Sequence, residues 1–165
     1  MAKDQSFDVV SQVDAQEVDN AVQQAIKELV QRYDLKDTGS SITLDKHAAT
    51  VVISAPSDFV FKQVRDVLET KLVRRGIDLK AITWGKIETA SGGSVRSTGT
   101  IVNGIDQEIA RKINKDVRDN TFKVKVQIEG DKVRVFSTSR DELQAVIVFL
   151  KAADYGIPLQ FNNYR

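Results

Sequence analysis

Apolar residues recur in this chain at two periods, two and about 3.6, and the switches between them mark the elements. The clearest stretch is Lys123–Thr138, KVKVQIEGDKVRVFST. Two runs alternate apolar and polar residues around Gly130-Asp131, a Gly-first pair suited to a two-residue hairpin turn. Folded there, Ile128 opposes Val133 and Val126 opposes Val135, giving one wholly apolar face. On the other face Gln127 meets Arg134, Lys125 meets Phe136 and Lys123 meets Thr138. A slip of one residue would scramble both faces, so the pattern itself sets the register.

Taken in order, Ser6–Val13 predicts a strand with Phe7, Val9 and Val13 on one side. Asp14, with Glu17 at capping-box spacing, opens a helix built on Val18, Ala21, Val22, Ala25, Ile26, Leu29, Val30 and Tyr33. Asp34–Ser41 is a loop, and Ile42–Leu44 and Thr50–Ser54 are a strand pair. Pro56-Ser57 opens a helix on Val60, Val64, Val67, Leu68 and Leu72, which Gly76 stops. Ile77–Ile87 predicts a strand, Glu88–Gly93 a linker and Ser94–Val102 an extended segment. Asn103–Asn120 predicts a helix on Ile105, Ile109, Ile113 and Val117. After the hairpin, Ser139 and Glu142 begin a helix carrying Leu143, Val146, Ile147, Leu150 and Ala153. Gly156-Ile-Pro158 ends it, and Leu159–Tyr164 is a last strand.

The order repeats. Ile42-Thr-Leu, a turn, Val51-Val-Ile-Ser and a helix from Ser57 match Val126-Gln-Ile, a turn, Val133-Arg-Val-Phe and a helix from Ser139. Each half reads strand, helix, strand, strand, helix, strand. With right-handed crossovers this is an α+β fold, a tandem of two ferredoxin-like sandwiches. Each is a four-stranded antiparallel sheet with two helices on one face, over residues 1–93 and 94–165. The other sheet face is left free, and Lys132–Ser137 runs down the middle of the second sheet.

Composition narrows the function. The chain has 165 residues, 41% apolar and 28% charged, with a net charge of +1. No global charge draws it to nucleic acid or membrane, so a nucleic-acid site would be a local patch. With no cysteine there is no thiol chemistry, and the N-terminal stretch lacks the apolar run of a signal peptide, so a cytoplasmic location is expected. The one histidine, His47, lies in a turn without local partners. No Walker loop, metal-ligand spacing or catalytic constellation occurs, and neither enzymatic activity nor a cofactor is expected.

The sequence resembles the YajQ family of small bacterial proteins along its whole length. The match rests on Ser6-Phe-Asp-Val-Val-Ser, Arg32-Tyr-Asp, Arg75-Gly-Ile, Gly104-Ile, Lys123-Val-Lys-Val-Gln, Gly130-Asp-Lys-Val-Arg-Val, Ser139-Arg-Asp-Glu-Leu-Gln-Ala-Val-Ile and Phe161-Asn-Asn-Tyr-Arg. It departs from the usual pattern at Thr98 and Thr100, and at Leu35-Lys36-Asp37, where Phe, a basic residue and Gly are typical. The resemblance implies tandem RNA-recognition-like domains with exchanged first strands. Ser6–Val13 would pair into the second sheet and Ser94–Val102 into the first. It also implies nucleotide binding, with RNA, including transfer RNA, or cyclic di-GMP as ligand.

The residues themselves offer one basic-aromatic surface. On the free face of the second sheet, Phe136 would stack on a base while Lys123, Lys125, Lys132 and Arg134 meet phosphate. A second group places Trp84 and Lys86 at one parity of a strand. The paired aromatics of RNA-recognition domains are absent. The expected function is non-catalytic nucleotide binding on this face or in a cleft between domains. The alternative is an adaptor whose free sheet faces dock a protein such as a transcription regulator. No membrane partner is expected.

Overall fold

A computed structural model describes residues 4–165. In chain order the elements are β1 (Gln5–Val10), α1 (Ala15–Gln31), β2 (Ser41–Asp45), β3 (Thr50–Ala55), α2 (Asp58–Arg74), β4 (Ile82–Trp84) and β5 (Glu88–Thr89). There follow β6 (Val95–Ile101), α3 (Gln107–Asp119), β7 (Lys125–Glu129), β8 (Lys132–Ser137), α4 (Arg140–Ala152) and β9 (Gln160–Asn162). The chain forms two compact units. One comprises residues up to Gln12 with Asn103–Arg165, and the other Val13–Val102.

The first unit has a four-stranded sheet in the order β7-β8-β1-β9. All its pairs are antiparallel. Phe7, Val9, Val133 and Val135 point to one side, where they meet Ile113 and Val117 of α3 and Leu143, Val146, Ile147 and Leu150 of α4. The second unit has the order β2-β3-β6-β4, with β5 paired to β6. Val51, Ile53 and Ala55 pack there against Val18 and Val22 of α1 and Phe61 and Leu68 of α2. Each is a ferredoxin-like sandwich with one central strand out of sequence order, and only the first unit takes that strand from the far end of the chain. β1 lies between β8 and β9, and β6 between β3 and β4.

The hairpin has the register that alternation dictates, with Lys125 opposite Phe136, Gln127 opposite Arg134 and Ile128 opposite Val133. Gly130 takes φ 60 in the turn, a conformation glycine adopts without steric cost. The turn is docked as well as tight: Ile105 N donates to Asp131 O at 2.9 Å and Gln107 Nε2 to Gly130 O at 3.1 Å. A Cβ at Gly104 would come within 2.8 Å of the Asp131 side chain, so only glycine fits this approach.

Three expectations need correction. The strand expected over Ile77–Ile87 is confined to Ile82–Trp84, because Asp78 caps a single 3-10 turn over Leu79–Ala81. Glu88–Thr89 is no free linker, since it pairs with Arg96 and Val95. The third helix begins at Gln107, capped by the Asp106 carboxylate on Ile109 N, and Ile105 is buried ahead of it. The departure at Leu35-Lys36-Asp37 has a local cost. Leu35 is buried, and Asp37 holds φ 66 where glycine would be at ease.

Candidate nucleotide-binding face

The outward side of the first unit's sheet is built from cross-strand rows. One row runs Lys125, Phe136, Ser6, and the next Gln127, Arg134, Asp8, Asn162. The second row decides the electrostatics. Asp8 stands on a central strand of an otherwise apolar run and is only 2% exposed. Arg134 Nε donates to its Oδ1 at 2.8 Å, Asn163 Nδ2 donates to Oδ2 at 2.8 Å, and Lys132 Nζ lies 3.5 Å from Oδ2. Arg134 also reaches Glu129, Nη1 to Oε2 at 3.3 Å. Burial pushes the Asp8 carboxyl up. The bonds from Arg134 and Asn163 and the nearby positive charges outweigh burial and hold it below the usual carboxylate range. The same bond, given by Arg134 to Asp8, raises the guanidinium pKa further.

The backbone explains how Asn163 arrives there. β9 pairs Asn162 with Asp8, while Arg165 N and O exchange two hydrogen bonds of 3.0 Å with Ser6. The C-terminal segment thus carries one residue more than β1 between these contacts. The bulge is absorbed at Asn163, whose φ is 58. Asparagine tolerates this left-handed conformation, and the bulge turns its carboxamide onto Asp8.

The middle of the face is therefore a closed set of two carboxylates and two cations, not a row of free positive charges. Beside it the other row opens into a shallow depression of about 400 Å³. Phe136, Phe122 and Val124 supply its apolar wall, and Lys123, Lys125 and Asp4 its charges. Lys123 and Lys125 are exposed and, among the described residues, neither ammonium has an ion pair. The Ser137 hydroxyl at its rim donates to Lys123 O at 2.9 Å and accepts from Ser139 N at 3.0 Å, so it is committed to the backbone.

Of the sequence-predicted residues, Lys123, Lys125 and Phe136 come together around this depression. Lys132 and Arg134 share the face but are engaged by Asp8 and Glu129. Trp84 and Lys86 belong to the other unit. Trp84 lies opposite Gly99 on the helix-facing side of its sheet and packs into the core, and β4 stops before Lys86, so strand parity does not carry to it. The helix-end cations Lys71 and Arg75 pair with Glu28 and Glu17. Sequence reasoning missed Asp8, Asn163 and Glu129. The available signal was an acid at the outward position of the strand Phe7-Asp8-Val9, a place a central strand seldom leaves uncompensated.

No helix among the described residues is long and apolar enough to cross a membrane, and no cluster of three or more metal-binding side chains occurs among them. A family model described as nucleotide-binding protein YajQ-like matches residues 5–165. A nucleotide-binding protein of Heliobacterium modesticaldum is 49% identical over 165 residues, covering 100% of this chain and 99% of the relative. One from Alkaliphilus oremlandii is 49% identical with 100% of both covered. One from Bacillus cereus is 46% identical, again with 100% of both covered.

Proposed function

The chain belongs to the YajQ-like nucleotide-binding family, and from that premise we propose that it binds a small nucleotide, cyclic di-GMP, at the depression beside Phe136, without catalysis. The observation that carries this reading is the grouping of one half-buried aromatic ring with Lys123 and Lys125, neither of them in an ion pair among the described residues, on an open sheet surface. A base stacked on Phe136 contributes about 1–3 kcal/mol, and each lysine offers a point charge to a phosphodiester.

RNA is the less favoured ligand. A strand tracking across the sheet would cross the Asp8–Arg134–Glu129 set, whose cations are already neutralised. The non-catalytic reading is supported by the lining groups, where the Ser137 hydroxyl is held by backbone atoms rather than by a base.

The test is calorimetric titration with cyclic di-GMP and with transfer RNA at two salt concentrations. With two lysines engaged, the logarithmic salt slope should be no steeper than about 1.4. Phe136→Ala should weaken cyclic di-GMP binding about 5- to 150-fold, and Lys125→Ala should flatten the salt slope. Absence of binding at low salt, or an unchanged affinity in Phe136→Ala, refutes the proposal. Steep, salt-sensitive binding of transfer RNA alone would transfer the site to RNA.

A further inference from the structure

The first unit carries a second concavity of about 580 Å³, within the range of small-molecule sites. Its walls come from the start of β1 (Gln5), the first turns of α4 (Arg140, Leu143, Gln144) and the C-terminal segment (Tyr164, Arg165). Each wall is fixed. Ser6 and Arg165 exchange two backbone hydrogen bonds of 3.0 Å, and α4 is capped by Ser139 Oγ on Glu142 N at 3.3 Å. The Tyr164 ring is 6.2 Å from that of Phe7 yet 61% exposed, so a ligand can cover a ring already held in place.

The side-chain chemistry differs from that of the sheet face. The lining side chains include two guanidiniums and two carboxamides, and no carboxylate. Arg134 is consumed by Asp8, whereas neither Arg140 nor Arg165 has an ion pair among the described residues. Glu142, in the same turn as Arg140, is occupied by Lys123 N at 3.2 Å.

We propose that this groove is a second ligand site, for a nucleoside 5′-monophosphate. Arg140 and Arg165 take the terminal phosphate, since planar guanidiniums match its oxygens in a two-pronged fashion that lysine does not. Tyr164 stacks on the base. Gln5 and Gln144, each donor and acceptor at once, meet the base edge, and Leu143 forms the floor. Ser6, which also lines the groove, stands opposite Phe136, but none of the proposed ligand contacts lines the Phe136 depression, so either can fail without the other.

The experiment titrates the full chain with adenosine and guanosine 5′-monophosphate, with inorganic phosphate and the free nucleosides as partial probes. Arg140→Gln should weaken monophosphate binding about 10-fold or more, and Arg140→Lys should not restore it. Tyr164→Leu should weaken the monophosphates and leave inorganic phosphate unchanged. The Lys125→Ala, Phe136→Ala double variant should bind monophosphates as the wild type does. Melting temperatures within experimental error of wild type confirm the fold of each variant. No monophosphate binding at millimolar concentration overturns the proposal. So does weakening by the double variant but not by Arg140→Gln or Tyr164→Leu.

Discussion

Replacing Asp8 with asparagine tests whether the closed charge set holds the exchanged strand. Asparagine keeps the shape and one carbonyl but removes the charge that Arg134, Lys132 and Asn163 converge on. A hydrogen bond to a charged group contributes about 1.5–3 kcal/mol, and breaking a fully buried pair costs about 3–5 kcal/mol. The loss here is smaller than that upper range. The Arg134 and Lys132 side chains are 20% and 35% exposed and can turn to water. We expect Asp8→Asn to cost ~2 kcal/mol at neutral pH, lowering the melting temperature of the first unit by ~8–16 °C. The damage should be local. Amide exchange should quicken in β8 and β9, which flank β1, and stay unchanged in β3 and β6 of the other unit. The pH dependence gives an independent check. The folded Asp8 carboxyl titrates below its unfolded counterpart. Its stabilisation is therefore complete above the unfolded carboxylate pKa of about 4 and is lost as pH falls through the lower folded value. The Asp8→Asn chain cannot titrate there, so the stability gap closes in acid. A variant within about 0.5 kcal/mol of wild type at pH 7, or a gap that widens in acid, would refute the reasoning.

Gly99→Ala should destabilise the second unit by about 1–3 kcal/mol, measured by urea titration, because the added Cβ would lie 2.5 Å from Ile82 Cγ2 and 3.0 Å from the Trp84 ring. Ser139→Ala should cost about 1 kcal/mol through loss of the α4 cap, with Ser139→Asp recovering most of it in the same assay. Residues 13–102 expressed alone should unfold cooperatively on heating, since all the strands of their sheet lie inside that span. Residues 103–165 alone should not, because β8 and β9 then have nothing between them.

The hairpin and the helix starts were legible because they are local. The Gly130-Asp131 turn and the alternation around it leave one acceptable register. Ser57, Asp14 and Ser139 each cap through a side-chain bond that short spacing announces. One local signal was only half fulfilled: Ser139 caps Glu142 N, but the Glu142 carboxylate turns to Lys123 N instead of returning to Ser139. The fold followed from the repeat, and the strand exchange from family resemblance. The Asp8 set was out of reach because Asp8 and Arg134 are 126 residues apart. Alternation says only that Arg134 faces outward. Whether it meets water, phosphate or a carboxylate depends on which strand lies beside β8. The strand over Ile77–Ile87 was overextended for another reason. Apolar content suggested sheet, while the Asp78 side chain, bonded to Lys80 N at 2.9 Å, turns the backbone into a 3-10 turn first.

The position of β1 also sets an order of events during synthesis. Val13–Val102 is contiguous and can close its sheet once β6 has left the ribosome. β1 is made first and used last, since β8 and β9, the strands on its two sides, come from the final third of the chain. At about 5–20 residues per second the last 63 residues, 103–165, take about 3–13 s to appear. For that interval Phe7, Val9 and Val10 hang from a finished neighbour as an unpaired sticky strand, so a nascent chain paused there has its greatest need of a chaperone.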